Sequence, residues 1–295
     1  MTTTSTDKRR RLRERLGQPG IIVAPGTGDA LGALLIEEAG FEACYMSGYA
    51  VETTCGKPDV GLLTLPEMAR RAAEIDEATS LPLISDADAG YGNVVNVTRM
   101  TREFERAGVA CIQLEDQTMP KKCGSMKGRG VVPVAEMVGK IKAFLDARTD
   151  ENFTIIARTD VWSSEGMNAA LDRMAAYRDA GADLLMTMGP YDEAELAEYV
   201  RRAAGPVAHL NSESFTMAMV PSDRLEEMGV KMVILPLALT MSKIHAMRRT
   251  LQVIRENKAD TRSHAKEAMA TWADCNRLTG FDEITRIEKT FGVTA

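Results

Sequence analysis

Short apolar runs of strand length alternate with longer segments of helical periodicity along most of the 295-residue chain. The runs predict β-strands near residues 20–24, 42–46, 81–86, 109–115, 153–159, 183–187, 206–210 and 231–236. Apolar spacings of three and four residues predict helices near residues 28–39, 66–79, 95–107, 133–147, 168–180, 192–204, 221–228 and 239–256. Thr64 and Glu67 have the spacing of a capping box, and Gly108 and Gly181 follow their helices as stop signals.

Eight alternating strand and helix units predict an α/β fold, a (β/α)8 TIM-type barrel whose active site lies at the carboxyl ends of the strands. A doubly wound open sheet is the alternative, but residues 25–30 match the Gly-rich nucleotide turn of such sheets only in part. We expect a single domain with a leading helix over about 1–17, the barrel over about 18–256 and a C-terminal helical extension over about 257–295.

Composition narrows the function classes. A hydrophobic content of 45% supplies a large core, and a net charge of −6 argues against a nucleic-acid partner. The basic segment at residues 8–15 is interpreted as part of a solvated leading helix. No run approaches the roughly 20 apolar residues of a membrane span. Five scattered cysteines without CxxC spacing predict reduced thiols in a cytoplasm, and three histidines are too few for a His-rich metal centre.

Acidic residues follow two of the predicted strands. Asp86 and Asp88 end the third strand and Glu115 ends the fourth, while Gly90 and Gly92 allow a ligand to approach the backbone closely. Carboxylates gathered at one barrel mouth suit a hard cation such as Mg²⁺, which is bound through a few carboxylates and keeps water ligands. Because Asp and Gly are also common in ordinary turns, a hydrated turn is the alternative interpretation.

A thiol lies among cations in the long connection after the fourth strand. Cys123 follows Lys121 and Lys122, and Lys127 and Arg129 make the same segment more basic. Neighbouring cations predict a thiol pKa near or below about 8.5, so that the group acts as a proton donor or a thiolate near neutrality. A long basic loop is also consistent with closure over an anionic substrate. The alternative is a small residue without a catalytic role.

Two further strand ends carry candidate carboxylate-binding groups. Arg158 ends the fifth strand, where a guanidinium offers paired hydrogen bonds to a carboxylate, although Asp160 is a local alternative partner. Tyr45, Ser47 and Gly48 end the second strand, where a hydroxyl and backbone N–H groups can hold an anionic group. The Ser-Gly pair alone is also typical of an ordinary turn.

At these positions the chain resembles the isocitrate lyase and phosphoenolpyruvate mutase superfamily. The matching motifs are Tyr45-Met46-Ser47-Gly48, Gly56-Lys57-Pro58-Asp59-Val60-Gly61, Asp86-Ala87-Asp88-Ala89-Gly90-Tyr91-Gly92, Leu114-Glu115-Asp116-Gln117, Pro120-Lys121-Lys122-Cys123-Gly124 and Ile156-Ala157-Arg158-Thr159-Asp160. The resemblance implies an eight-stranded barrel that uses Mg²⁺ or Mn²⁺ and a small carboxylic acid. It also implies a homotetramer, a dimer of dimers in which a C-terminal helix is exchanged between neighbouring subunits.

The resemblance also implies roles for individual residues. The acids of the metal site are Asp59, Asp86, Asp88 and Glu115, several of them acting through water. Ser47, Gly48 and Arg158 hold the carboxylate of the product keto acid. The remaining residues expected to contact substrate are Gly124, Ser125, Met188 and His209.

The Lys-Lys-Cys-Gly loop is similar to that of the superfamily's carbon–carbon lyases, such as the 2-methylisocitrate and 2,3-dimethylmalate branch. The implied reaction is a retro-Claisen cleavage of a substituted 2-hydroxy di- or tricarboxylic acid. Cys123 is then the acid that protonates the leaving carbanion, Tyr45 is the candidate base, and Lys121 is a further catalytic group. The alternatives are an oxaloacetate hydrolase or decarboxylase, a phosphonate-processing enzyme, and a catalytically inactive binding barrel.

Three departures from the superfamily pattern bear on the substrate. Ser125 replaces a customary histidine, Met188 replaces a glutamate and His209 falls near a customary asparagine. A more apolar, less negative wall at Met188 predicts a substrate unlike the usual tricarboxylates. For His209, packing at a strand end is as good an interpretation as substrate contact. The segment from Asn211 to Phe215 is interpreted as a serine-rich loop.

Overall fold

The computed structural model describes residues 3–126, 128–214 and 217–292, so that Lys127 and Phe215 lie outside the described residues. Parallel strands close into a barrel in chain order, and the first strand pairs with the last. The strands are β1 (Ile22–Thr27), β2 (Cys44–Met46), β3 (Leu83–Asp86), β4 (Cys111–Glu115), β5 (Thr154–Thr159), β6 (Leu184–Thr187), β7 (Val207–Leu210) and β8 (Val230–Leu235). The predicted TIM-type barrel is confirmed, and the open-sheet alternative is wrong.

Helices follow the strands as the periodicity predicts. They are α1 (Ser5–Leu16), α2 (Ala30–Glu38), α3 (Gly48–Thr54), α4 (Leu65–Ala78), α5 (Val94–Arg106), α6 (Val134–Ala147), α7 (Trp162–Asp179), α8 (Glu193–Arg202), α9 (Ser222–Glu227), α10 (Ala238–Glu256), α11 (Arg262–Ala268), α12 (Trp272–Leu278) and α13 (Phe281–Thr290). The capping box of Thr64 and Glu67 is present, and Gly108 and Gly181 have positive φ after their helices. Sequence analysis missed α3, because Ser47 and Gly48 resemble a turn. Ser47 instead caps this helix through the N–H of Ala50, at 3.3 Å.

Strand side chains alternate between two buried layers. In β4, Cys111 packs inside the barrel and Ile112 packs between the strands and the helices. Since side chains alternate along a strand, Gln113 and Glu115 face the same side as Cys111. This alternation aims the acid at the end of β4 into the barrel mouth.

The leading helix is docked rather than solvated. In α1, Lys8 and Arg9 are 3% and 5% exposed. Lys8 Nζ lies 2.8 Å from Asp76 Oδ1, and Arg9 Nε donates to the carbonyl of Val109 at 2.9 Å. Val109 lies two residues before β4, so α1 closes the amino-terminal end of the barrel, opposite the site. The expectation of a solvated helix is therefore wrong.

The chain divides into two compact units, residues 1–240 and residues 241–295. In the second unit, none of the described residues of α11, α12 and α13 is buried. Large apolar side chains there are exposed instead, at Trp272, Phe281, Ile284, Ile287 and Phe291. Within the described ranges, no helix is long and apolar enough to cross a membrane.

Candidate active site

A cavity of about 50 Å³ lies at the carboxyl ends of the strands. Most of the predicted site residues meet there. Its lining consists of Tyr45, Ser47, Tyr49, Asp59, Asp86, Cys123, Gly124, Ser125, Arg158, Met188, Leu210, Ser212, Pro236 and Leu237. Sequence analysis did not single out Tyr49, which lies in the first turn of the missed helix α3.

A larger cavity of about 280 Å³ lies at the opposite end of the barrel, where Leu12 of α1 faces Ile22 and Leu81 near the starts of β1 and β3. It lacks the thiol and the acids of the predicted site. The smaller cavity is therefore the candidate active site.

The turn after β3 gathers the acids. Asp88 has a φ of 47° and Gly90 a φ of 82°, so the chain turns sharply behind Asp86. Asp86 Oδ1 accepts a hydrogen bond from the N–H of Asp88 at 3.0 Å, and the N–H of Glu115 donates to the carbonyl of Asp88 at 3.0 Å. These bonds join the ends of β3 and β4 and bring three acids to one place.

A buried cation supports this acidic turn from behind. Lys140 of α6 is 2% exposed, and its Nζ donates to the carbonyl of Ala89 at 3.0 Å and lies 3.6 Å from Glu136. Sequence analysis missed this residue, although a signal was available. Lys140 falls on the apolar stripe of its helix, between Met137 and Phe144.

Two cations are embedded among the acids. Lys121 forms ion pairs with Asp59 and, at 2.8 Å, with Asp88. Arg158 NH1 lies 3.0 Å from Glu115 Oε2. The four acids predicted to form the metal site therefore face two cations, which leaves two carboxylates in excess.

The pKa values of Asp88, Glu115 and Lys121 are shifted by burial and by the excess of carboxylates. Burial raises the pKa of Asp88 to about 6 and the pKa of Glu115 well above its usual value, even though Lys121 and Arg158 oppose the shifts. Burial alone would lower the pKa of Lys121, but Asp88 and the other acids outweigh it and raise that pKa well above its usual value. The site thus favours added positive charge, as a proton or as a metal ion.

This donor set fits a hydrated divalent cation. No three His, Cys, Asp or Glu side chains in the described part of the chain converge closely enough to hold an ion between them. Mg²⁺ commonly takes only one or two carboxylates directly and keeps several waters, so such convergence is not required. Glu115 Oε1 is buried without a hydrogen-bond partner, and the excess of two carboxylates matches the charge of the ion.

The thiol of Cys123 is held in its protonated form. The backbone N–H of Cys123 donates a hydrogen bond to the carbonyl of Asp59 at 3.2 Å. Burial, together with the nearby Asp59 carboxylate, raises the pKa of the thiol to about 11. Lys121 is engaged by acids and Lys122 Nζ donates to the carbonyl of Gly128, so the flanking lysines do not lower the pKa. The expectation of a pKa near or below about 8.5 is wrong, and the thiol is suited to donate a proton.

Tyr45 lies inside the barrel mouth with its hydroxyl donating to Gln113 Oε1 at 3.3 Å. Burial and the charge of Asp86 raise the pKa of Tyr45 well above its usual value, so the side chain is a neutral phenol here. Its role as a base stays a prediction. Sequence analysis missed Gln113, although it lies one inward-facing position before Glu115 on β4.

A glycine is required at position 48 because the backbone there lies very close to the side chain of Asp86. The N–H of Gly48 donates to Asp86 Oδ2 at 3.3 Å. A Cβ added at this position would lie 2.8 Å from the same oxygen, closer than real side chains approach.

Replacing Gly48 with alanine is therefore expected to displace Asp86 and to lower turnover with Mg²⁺ by at least about tenfold, because small misplacements at a reacting centre are costly. Mn²⁺ titration and steady-state rates measure the effect. Gly139→Ala is the matched control, since the added Cβ would meet only Val94 at an ordinary 3.4 Å. Equal rates for the two variants would contradict the argument.

The far wall of the cavity is neutral. A Cβ on Gly124 would lie 2.6 Å from Met188 Cε and 2.8 Å from Arg158 NH2, so these side chains pack directly on the loop. Ser125 Oγ lies 2.7 Å from Ser214 Oγ, which lies 2.8 Å from Ser212 Oγ. Arg158 is the one cationic side chain among the described residues that line the cavity.

Comparison with known proteins identifies the family of this chain. A sequence model of the phosphoenolpyruvate phosphomutase family matches residues 12–255. The chain belongs to this family. A 2,3-dimethylmalate lyase from Eubacterium barkeri is 41% identical over 282 residues, covering 95% of this chain and 97% of the relative. A 2-methylisocitrate lyase from Bacillus subtilis strain 168 is 38% identical, covering 84% of this chain and 81% of the relative.

Solved structures extend the relationship. A 2,3-dimethylmalate lyase described as a PEP mutase/isocitrate lyase superfamily member has a TM-score of 0.90 at 31% identity, covering 98% of this chain and 96% of that chain. An oxaloacetate acetylhydrolase with 3,3-difluorooxalacetate has a TM-score of 0.91 at 28% identity, covering 98% and 99%. A phosphonopyruvate hydrolase with oxalate and Mg²⁺ has a TM-score of 0.87 at 27% identity, covering 96% and 98%. The superfamily resemblance seen in the motifs is confirmed.

One of the predicted departures from the superfamily pattern lies outside the cavity. His209 is 1% exposed, and its Nε2 lies 2.9 Å from the carbonyl of Ala218. Its neighbours Ala208 and Leu210 face the barrel interior, so alternation turns His209 away from it. The structure therefore favours a packed strand-end histidine over a substrate contact.

An asparagine, Asn211, lies two residues after His209. Asn211 directly follows β7, and its amide bonds both the carbonyl and the N–H of Val220, at 2.7 and 3.1 Å. Ser125 and Met188 do line the cavity, so these two departures remain at the site.

Burial makes His209 a pH-sensitive contributor to stability. It lowers the pKa of the imidazole to about 4, from an ordinary 6.5. The folded state thus prefers neutral His209, and this stabilisation is complete above pH 6.5 and lost as pH falls towards 4. Between pH 7.5 and pH 5 we expect a loss of about 2 kcal/mol.

Urea unfolding of the wild type and of His209→Gln at both pH values measures this loss of stability. The variant keeps a donor for Ala218 and cannot ionise, so it should lose less stability on acidification. Parallel losses in the two proteins would show that His209 does not contribute.

Proposed function

We propose that this protein is a Mg²⁺-dependent carbon–carbon lyase that cleaves a substituted malate-type 2-hydroxy dicarboxylic acid into a 2-keto acid and a second carboxylic acid. The observation that carries the proposal is a protonated thiol, Cys123, facing the same small cavity as Arg158 and an excess of carboxylates. The relatives named as dimethylmalate and methylisocitrate lyases support the reaction class.

The keto-acid half of the substrate would lie between β2 and β5. Arg158 offers its guanidinium to the carboxylate, and Ser47 and Gly48 offer a hydroxyl and a backbone N–H at the start of α3. Asp59, Asp86, Asp88 and Glu115 would hold Mg²⁺ directly or through water. The ion would supply Lewis-acid stabilisation of negative charge on the reacting oxygen.

Cleavage needs one proton removed and one proton added. The 2-hydroxyl group loses its proton to a base, and its electrons form the carbonyl as the carbon–carbon bond breaks. Tyr45 is the candidate for this base and can act only as a phenolate, which requires a nearby cation to lower its raised pKa. The electron pair of that bond remains on the carbon beside the second carboxylate. Cys123 then gives its thiol proton to this carbon, which releases the second acid. A buried, fully protonated thiol holds the proton where the carbanion forms.

The cavity wall favours a dicarboxylate over a tricarboxylate. Arg158 is the one cationic side chain among the described lining residues. Met188, Leu210 and Leu237 make the far wall of the cavity apolar. A third carboxylate would be buried without a cationic partner, which costs several kcal/mol. Methyl substituents, by contrast, match the apolar side chains.

The assay is incubation with Mg²⁺ and each of 2,3-dimethylmalate, 2-methylisocitrate and oxaloacetate, with detection of the 2-keto acid or oxalate formed. We expect pyruvate from dimethylmalate with a kcat/KM at least about tenfold above that for methylisocitrate. Preferential cleavage of methylisocitrate would overturn the dicarboxylate assignment, and oxalate release from oxaloacetate as the main reaction would overturn the lyase assignment. Failure to bind Mg²⁺ and oxalate in calorimetry would indicate an inactive barrel.

We also propose that the protein is a cytoplasmic homotetramer, a dimer of dimers assembled through the C-terminal helices. Phe281, Ile284 and Ile287 form an exposed apolar stripe along α13, and Phe291 continues it at the C-cap. Trp272 of α12 is 79% exposed. A second copy is the occupant we commit to, since the stripe is too apolar to face water in a stable protein. Light scattering should give a tetramer for the wild type and smaller species for Trp272→Ser with Phe281→Ser. Tyr191→Ser, at an exposed position of the barrel unit, is the control.

A further inference from the structure

Arg129 is a buried cation in the loop that carries Cys123. Its side chain is only 5% exposed. NH1 donates to the carbonyls of Gly124 and, at 2.8 Å, Met126, while NH2 donates to Ser163 Oγ at 3.3 Å. The guanidinium is therefore used inside the protein and does not line the cavity, contrary to the expectation that it adds charge for an anionic substrate.

Asp160 links this loop to the substrate-binding strand. Arg129 Nε and Arg158 NH2 each lie 3.0 Å from the same atom, Asp160 Oδ1. Asp160 is fully buried, and its N–H donates to Asp116 Oδ1 at 3.0 Å, so it cannot move freely. One fixed carboxylate thus joins the Cys123 loop to Arg158.

Because Arg129 and Arg158 share Asp160, Arg129 affects the charge around Arg158. Without Arg129, Arg158 would face the carboxylates of Glu115 and Asp160 alone, two negative groups against one positive group. Arg129 supplies the second positive charge. In a buried site, where charges are poorly screened, this difference decides how strongly Arg158 attracts a further anion.

We propose that Arg129 is a positioning residue with two effects. It fixes the Cys123 loop against the end of β5, and by sharing Asp160 it leaves Arg158 able to bind the substrate carboxylate. The second effect rests on the proposed function, whereas the first does not.

Geometry explains why the residue is an arginine. A planar guanidinium reaches a carboxylate from one nitrogen and backbone carbonyls from another at the same time, which a lysine ammonium cannot do at these separations. The two effects are therefore separable. Arg129→Lys should keep the positive charge beside Asp160 and lose the contacts to the loop, and Arg129→Met should lose both.

Alkylation of Cys123 by iodoacetamide tests the first effect. The exposed thiols are removed beforehand by Cys55→Ser and Cys275→Ser, and Cys44 and Cys111 are buried. Arg129→Met and Arg129→Lys should both raise the alkylation rate at least about tenfold, because the loop opens more often. Lys142→Met removes an exposed cation from α6, outside this loop, and should leave the rate unchanged. Wild-type rates in either folded Arg129 variant would overturn the first effect, and Arg129→Lys alone decides it if Arg129→Met fails to fold.

Calorimetry with oxalate in the presence of Mg²⁺ tests the second effect. Arg129→Met should weaken oxalate binding at least about tenfold, and Arg129→Lys should restore it to within about threefold of the wild type. Unchanged binding in Arg129→Met, or equal weakening in both variants, would overturn the charge-sharing role. A wild type that binds no oxalate would overturn this role together with the proposed function, while the alkylation result would still decide the effect on the loop.

Discussion

Replacing Cys123 with serine is expected to lower the rate of carbon–carbon cleavage by about 10²–10⁴-fold, the usual contribution of a positioned acid. Serine keeps the size of the side chain, but its hydroxyl is a much weaker acid than the thiol whose pKa is about 11. Because the change leaves Arg158 and the acids in place, binding of Mg²⁺ and oxalate should persist. Steady-state assay and calorimetry on the same preparation separate the two properties.

Cys55→Ser is the matched control, since it makes the same chemical change at an exposed thiol that does not line the cavity. Full activity in Cys123→Ser would remove the thiol from the mechanism. Loss of oxalate binding along with turnover would show instead that the variant disturbs the loop.

Replacing Asp88 with asparagine is expected to weaken Mn²⁺ or Mg²⁺ binding by about 10–100-fold and to reduce turnover in proportion at limiting metal. The residue has a φ of 47°, a conformation that asparagine tolerates well, so the backbone of the turn should persist. The substitution removes one of the two excess negative charges and one partner of Lys121.

Thermal unfolding measures this loss without an activity assay. A ligand at 100 times its dissociation constant stabilises the folded state by about 2.7 kcal/mol. The wild type should therefore show a rise in Tm with Mg²⁺ that is reduced or absent in Asp88→Asn. Asp146→Asn, at an exposed position on α6, should keep the rise. The same rise in all three proteins would exclude Asp88 from the metal site.

Strand-end chemistry was the part of this protein most readable from sequence. Asp86, Asp88 and Glu115 follow apolar runs, and an eight-unit order places all strand ends at one mouth. The order therefore predicted their convergence before any distance was known. Arg158 was placed for the same reason, and its alternative partner Asp160 turned out to contact it as well.

Properties that depend on long-range contacts were not readable. The thiol pKa was mispredicted because burial of the thiol raises it most, and the Lys121 ammonium that was expected to lower it reaches Asp59 and Asp88 instead. Ser47 and Gly48 were read as a turn because helix caps and turns use the same residues. Lys140 and Gln113 carry no motif, and only their faces on α6 and β4 mark them as buried.

The two excess carboxylates also constrain the order in which ligands enter. Before a cation binds, the mouth of the barrel repels a dianionic acid, although Arg158 attracts one of its ends. We therefore expect ordered kinetics with the metal ion entering first, visible as oxalate binding that disappears when Mg²⁺ is withheld. The concentration of free metal ion would then determine what fraction of the enzyme can bind substrate. The acids that assist the reaction would therefore also control substrate binding.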